Sequence, residues 1–338
     1  MPPRTIRPPP TRPWSAALGR LRAGDAPGPE DASSLAEALR DGDAPTVAEL
    51  AELVGRRGSD VLRTSPRGAP PTAEALLVAA FDRLCAPKSD PGCRARLAIA
   101  TALDRLDMMD PDPFLRASRL VQREPVWGGS EDTAIPVRIR AMLALARLGH
   151  AETPLLIGQH LADGTPAVRQ AGAAAAQLHG EPALAAALAL VLLGPEDDPQ
   201  VLVALWSAQL ALAAEWALER AGAALMGDDD VRRVAAAEAL AESGRADALR
   251  VLLSAIEETV LASERRTLVR ALGLHRSAEA FDALVDRVTT GPITDALAAL
   301  EAFALRRVTS EERERLSQAV FGRSEPRIVA GFEALELR

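Results

Sequence analysis

The chain has no tyrosine, a single lysine (Lys88) and two cysteines, and aromatic residues fill only 3% of its 338 positions. Each shortage excludes something. Hydrophobic residues make up 48% of the chain, so with few rings its core must come from Ala, Leu and Val, which suits helices packed closely through small side chains. Strand formers are scarce and nothing alternates apolar with polar for long, so an all-α fold is expected. Cys85 and Cys93 have no histidine nearby and cannot complete a four-ligand zinc site. Cys93 reads instead as a small buried apolar residue. The longest uncharged run, residues 199–214, has 16 residues and includes Pro, Gln and Ser, short of the ~20 that span a bilayer. The opening MPPRTIRPPPTRPW carries no apolar h-region, so the chain is read as soluble and cytoplasmic, with no membrane partner.

Motifs of catalysis are missing as well. There is no G-x-S-x-G, no Walker-type glycine loop, no Rossmann fingerprint and no H-E-x-x-H. His150, His160, His179 and His275 lack metal-ligand spacing, and three of them stand where a helix should end. The acid runs 196–198 and 228–230 each directly precede a helix, where carboxylates cap free N–H groups. The expectation is therefore no enzyme, no cofactor and no metal. A net charge of −8 also argues against a general nucleic-acid binder, which needs a basic face. The charge is uneven: residues 61–150 carry 13 bases against 10 acids, and residues 151–250 carry 6 against 14.

What is present is a repeat. Val137, Val168, Val201, Val231, Leu261, Ile293 and Ile328 succeed one another about every 31 residues, a period typical of solenoids. Several units carry Arg just after the anchor, then apolar residues at helical spacing, then a Gly or His stop, as in PVRIRAMLALARLGH (136–150) and PAVRQAGAAAAQLHG (166–180). Each reads as the second helix of an antiparallel pair, with shorter amphipathic runs such as ADALRVLLSAIEETV (246–260) as first helices. Trp206 and Trp216 lie in an Ala/Leu-rich, acidic stretch and read as core aromatics.

This P-x-V-R-x-x-A…L-G pattern resembles the HEAT-repeat family, including the bacterial HEAT-like repeats named after phycobilisome lyases. The resemblance covers roughly residues 91–338. It implies an all-α, right-handed α-solenoid, a HEAT-like superhelix of about seven to eight helix pairs. It also implies that the motif arginine bonds an acid or carbonyl of the neighbouring repeat.

The expected organisation is a disordered Pro/Arg-rich tail over 1–31, a helical cap or extension with linker over 32–71, and the solenoid over 72–338. One break interrupts the period. Cys93 to Val137 spans 44 residues, so about 13 are inserted, centred on REPVWGGSEDTA (123–134). Insertions in repeats map to loops on one edge, often where binding resides. Trp127, with two glycines directly after it and Glu131 and Asp132 beside it, is the leading site candidate. The alternatives are that Trp127 covers apolar helix surface and that Asp132 or Thr133 caps the next helix. Arg94, Arg138, Arg169 and Arg232 stand just after their anchors, with Arg140, Arg233, Arg266 and Arg270 close by. Stacked in register, they would form a row for an anionic partner.

The function expected from the sequence is a non-catalytic scaffold that binds another protein on its concave face and inserted loop. A nucleic-acid binder, and an accessory or lyase-type enzyme on a HEAT-like scaffold, are the alternatives. Partner, pathway and oligomeric state leave no mark in the sequence.

Overall fold

The computed structural model describes residues 12–62 and 71–335, which divide into two compact units, 1–153 and 154–338. Both units are all-α solenoid segments of helix pairs, with one short two-stranded sheet in the first.

In the first unit the helices are α1 (Ser15–Ala23), α2 (Pro29–Asp41), α3 (Ala44–Arg57), α4 (Ala73–Leu84), α5 (Arg94–Arg105), α6 (Asp112–Ser118) and α7 (Ile135–Leu148). Their starts obey local chemistry. Asp43 accepts from the Thr46 N–H at 3.2 Å and Thr72 from the Ala75 N–H at 3.2 Å, satisfying donors that a helix leaves free. The second helices α3 and α5 lie so close that a Cβ on Gly55 would stand 3.0 Å from the Ala102 Cα. Residues 32–62 are thus a packed helix pair in series with the repeats.

The expected disorder through residue 31 extends too far. Ser15–Ala23 is helical with Ala17, Leu18 and Leu21 buried, and α2 starts at Pro29. The proline cluster ends at Pro13, and beyond it Leu18 and Leu21, three apart, give α1 an apolar edge. Arg57 then bonds the Leu21 and Gly24 carbonyls, each at 2.8 Å. The rest of the expected tail, residues 1–11, lies outside the described residues, as does most of the expected linker.

In the second unit the helices are α8 (Thr153–Leu161), α9 (Pro166–His179), α10 (Leu184–Leu193), α11 (Pro199–Leu212), α12 (Ala214–Leu225), α13 (Asp230–Glu242), α14 (Ala246–Glu258), α15 (Ala262–Ala271), α16 (Ala278–Thr290), α17 (Ile293–Phe303), α18 (Ser310–Arg323) and α19 (Pro326–Glu333). The second helices α9, α11, α13, α15, α17 and α19 pack each on the next. Their shared faces are largely alanine, as with the buried Ala235, Ala236, Ala237, Ala239 and Ala241 of α13. Asp198 and Asp229 cap α11 and α13 as the acid runs suggested. Trp206 is buried, as the sequence implied, but Trp216 is only half-buried, with the Arg220 guanidinium over its ring at 6.0 Å.

Arginines join successive repeats. Arg169 forms a bidentate pair with Glu196, at 2.6 and 2.8 Å, and also holds the Asp163 carbonyl at 3.0 Å. Arg265 reaches Asp295 at 2.7 Å and the Thr259 carbonyl at 2.8 Å. Arg233 bonds the Leu225 carbonyl and Glu264, at 3.2 and 3.1 Å. Arg232 spans the carbonyls of Gly194 and Glu196 at 2.6 and 2.9 Å. Each guanidinium binds carbonyls at or just past the end of a first helix.

These bonds correct part of the expected register. Val231 and Leu261 are 40% and 58% exposed rather than anchored. In those repeats a long cation, Arg233 or Arg265, turns inward instead, because carbonyls and a carboxylate there satisfy its donors.

Gly273 marks the tightest approach in this unit: a Cβ there would fall 2.2 Å from the Ala302 carbonyl oxygen and 2.9 Å from its Cα. Gly273→Ala must push α17 away, and we expect a loss of about 1–3 kcal/mol or more in urea unfolding. An unchanged midpoint would mean that the two backbones are not in contact.

Candidate functional site

The inserted stretch is a β-hairpin. Strands β1 (Arg123–Val126) and β2 (Gly129–Asp132) pair antiparallel, Val126 opposite Gly129 and Arg123 opposite Asp132. Trp127 and Gly128 form the two-residue turn, and Gly128 takes φ 91°, a conformation that costs glycine little. Below the strands the Thr133 N–H donates to the Gln122 carbonyl at 2.9 Å and closes the hairpin's base. At the tip the Trp127 side chain is fully exposed, at 104% of its reference area. It covers no helix.

The root of the hairpin is a buried polar network. Asp90 and Arg96 are each 1% exposed. One Asp90 oxygen accepts from the Ala95 N–H at 3.1 Å, and the other takes the Arg96 N–H and Nε, at 3.0 and 3.1 Å. The Arg96 Nη2 donates onward to Gln122 Oε1 and, at 3.1 Å, to Cys93 Sγ. Gln122 Nε2 donates to the Asp90 carbonyl at 2.9 Å and to Glu124 at 2.8 Å. The Glu124 carboxylate faces the Gly92 N–H at 3.0 Å; this backbone bond leads the interactions that hold its pKa below the usual glutamate value. On the second strand Asp132 accepts from the N–H groups of Gln122 and Ala134, at 3.0 and 3.1 Å, and from Arg138 at 2.5 Å. Burial alone would raise the Asp132 pKa, but the bonds from Arg138, Gln122 and Ala134 outweigh it and hold the group low.

The expected site residues therefore separate. Trp127, Glu131 and Asp132 do share the hairpin, with Glu131 exposed on β2 and Asp132 turned into its root. Arg138, expected in a partner-facing row, ties Asp132 and the Leu120 carbonyl (2.9 Å) instead. Arg140 pairs with Asp104 at 3.4 Å. Arg169, Arg232 and Arg233 are internal links of the second unit, so the expected row does not form from them: their donors are already committed inside the stack. Arg266 and Arg270 do stand exposed, both against Glu301. Asp90, Arg96, Gln122 and Glu124 went unnoticed in the sequence, where only the place of Glu124 within the inserted stretch, and of Gln122 just before it, hinted at a role.

Cys93 sits within the root, fully buried and in the left-handed region at φ 53°. That conformation costs a non-glycine residue about 1–3 kcal/mol. Burial pushes its thiol pKa up, against the opposing effects of Thr133 and Arg96, so it is a protected thiol rather than an activated one. Among the described residues no group of three or more His, Cys, Asp or Glu is placed to hold a metal ion, and no helix is long and apolar enough to cross a membrane.

No family model and no curated protein matches the chain. Among the solved structures similar to it are two. One is the complex of CpcE and CpcF of phycocyanin lyase from Nostoc sp. PCC7120, at 20% identity and a TM-score of 0.41, covering 77% of this chain and 97% of that one. The other is human deoxyhypusine hydroxylase in complex with glycerol, at 20% identity and a TM-score of 0.29, covering 77% and 88%. Both are HEAT-like helical-repeat proteins. The expectation that the chain is not an enzyme does not stand: the similar structures include a phycocyanin lyase and a deoxyhypusine hydroxylase.

The closed root predicts different reactivities for the two thiols. Iodoacetamide should modify the exposed Cys85 of the native protein and spare Cys93; Arg96→Ala leaves Asp90 buried and unpaired, costs about 3–5 kcal/mol in urea unfolding, and brings Cys93 into reaction. Rapid modification of both thiols in the parent would disprove the closed root. Acid provides a second test. The stabilisation tied to the lowered Asp132 pKa is fully present above the unfolded value of about 3.9 and is lost as pH falls through the lower folded value. Between about pH 5 and pH 2 the parent should lose stability more steeply than Asp132→Asn, and parallel curves would remove Asp132 from the account.

Proposed function

We propose that this chain holds another protein, and that the Trp127 hairpin is the anchor of that contact. The observation that carries the reading is a fully exposed indole at the tip of a hairpin whose root is buried and bonded throughout. An exposed tryptophan has no stabilising role in the free chain, and its area is large enough to supply a binding hot spot. Mounting it on a fixed hairpin lowers the ordering cost that a loose loop would bring to binding.

Holding a protein serves one of two ends. In one, the chain is a docking platform on which other components act. In the other it is an accessory or a working part of a lyase-type enzyme; the Nostoc structure is a complex of CpcE and CpcF of phycocyanin lyase. Both require a protein-binding surface.

The test compares the tagged parent with Trp127→Ala in extract of the source organism, with and without nuclease, and then titrates the purified captured protein. Trp127→Ala should leave circular dichroism and melting nearly unchanged and weaken the interaction by about 2 kcal/mol or more, roughly 30-fold. Equal affinity of the two proteins, or a large loss of stability in the variant, would end the reading. A bound chromophore, or a covalent change in the captured protein after incubation with the chain, selects the enzyme form. Capture that nuclease abolishes would point to nucleic acid instead.

A further inference from the structure

The second unit contains an open groove of about 860 Å³ between α15, α17 and α19, lined by no residue of the hairpin. Ala262, Arg266 and Arg270 of α15 line one wall; Leu297 and Glu301 of α17, with Leu305 just past its end, form the floor; Arg327 and Gly331 of α19, with Leu335 just past its end, form the other wall. Positions four apart share a helix face, so the α15 stripe runs for two turns, about 12 Å. Gly331 keeps the groove narrow and its floor continuous: a Cβ there would lie 3.2 Å from methyl groups of Leu297 and Leu300.

The charge is one-sided. Arg266 and Arg270 share Glu301, with the Arg270 Nε at 3.4 Å, and Glu238 of α13 is within electrostatic reach of Arg270. Arg327, exposed on the opposite wall, has no ion-pair partner among the described residues. Three arginines thus line the groove against one carboxylate, on a chain whose net charge is −8. Between them the floor offers exposed leucine, Leu305 being 41% accessible. An occupant must combine apolar groups for the floor with carboxylates for both walls.

We infer that this groove binds a short acidic amphipathic helix of a partner protein, about two turns long, lying along α17 with its apolar face on the leucines and its acidic flanks toward Arg327 and the Arg266/Arg270 wall. The length matches the two-turn α15 wall, and the paired walls match a helix that carries acids on both sides of an apolar seam. The inference uses none of the residues assigned to the hairpin, so the two readings stand or fall separately.

The experiment titrates the full chain into a fluorescein-labelled synthetic helix with leucines at i, i+3, i+4 and i+7 and flanking glutamates, monitored by polarisation. Two exposed residues are substituted, Arg327→Glu and Leu305→Ser, with melting curves to show that both variants fold. The acidic helix should bind the parent, more weakly as salt rises. Each variant should reduce affinity about tenfold, and a matching helix with lysine for glutamate should prefer Arg327→Glu over the parent. Trp127→Ala should bind the acidic helix as the parent does. The inference is overturned by no measurable binding, by equal binding of the glutamate and lysine helices to the parent, by full affinity in both variants, or by loss of binding in Trp127→Ala. Displacement of the helix by dodecanoate at equimolar amounts would also overturn it and assign the groove to a small anionic amphiphile.

Discussion

The guanidinium that sits between repeats is the interaction on which the structure depends. Second helices of Ala-rich sequence pack closely, but a row of similar alanine faces says little about which register is correct. Arg169, Arg233 and Arg265 supply that information, each reaching a carboxylate 27, 31 or 30 residues ahead while holding carbonyls at the end of a nearby first helix. Such pairs need not stabilise more than a well-packed apolar replacement would. Their effect is selective: a shift by one residue leaves a buried cation unpaired, at a cost of about 3–5 kcal/mol, whereas alanine tolerates it.

The hairpin extends the same device. The bonds Arg96–Gln122 and Arg138–Asp132 fix its two ends to α5 and α7, and the bond from Thr133 N–H to the Gln122 carbonyl brings those ends together before the strands begin. An insertion whose ends are already joined adds little loop entropy to the fold. The repeat can therefore carry a projecting indole without loosening. Cys93 shows how far the root is over-determined, since its left-handed backbone is tolerated only because bonds to its neighbours hold the turn from several sides.

Much of this was legible in the chain. The period located the second helices, Asp198 and Asp229 announced helix starts, and the long interval between Cys93 and Val137 located the insertion. Less legible were features decided by tertiary partners. Nothing near Val231 or Leu261 says that Arg233 and Arg265 will turn inward, because the carboxylates that accept them lie about a full repeat away. Residues 15–23 looked like part of a proline-rich tail, since the carbonyl-capping arginine that secures them, Arg57, is more than thirty residues distant. The hairpin read as a loop because its strands are four residues each, too short to show alternation. The network at its root joins three segments and has no local signature.

The arginines of the repeats also show how one helix can link internally and recognise externally. Consecutive residues on an α-helix are rotated by about 100°, so Arg265 and its neighbour Arg266 point in different directions. Arg265 enters the stack toward Asp295; Arg266 is carried out of it, and Arg270, one turn further, lies on the same face. An expectation that all motif arginines form one row overlooks this rotation. In this repeat the stack draws Arg265 inward and leaves Arg266 on the surface, whereas in the preceding one Arg232 and Arg233 both turn inward. The two proposed recognition elements, an uncharged indole on a rooted hairpin and an arginine-walled groove late in the sequence, thus lie apart from Arg169, Arg233 and Arg265, which link the repeats.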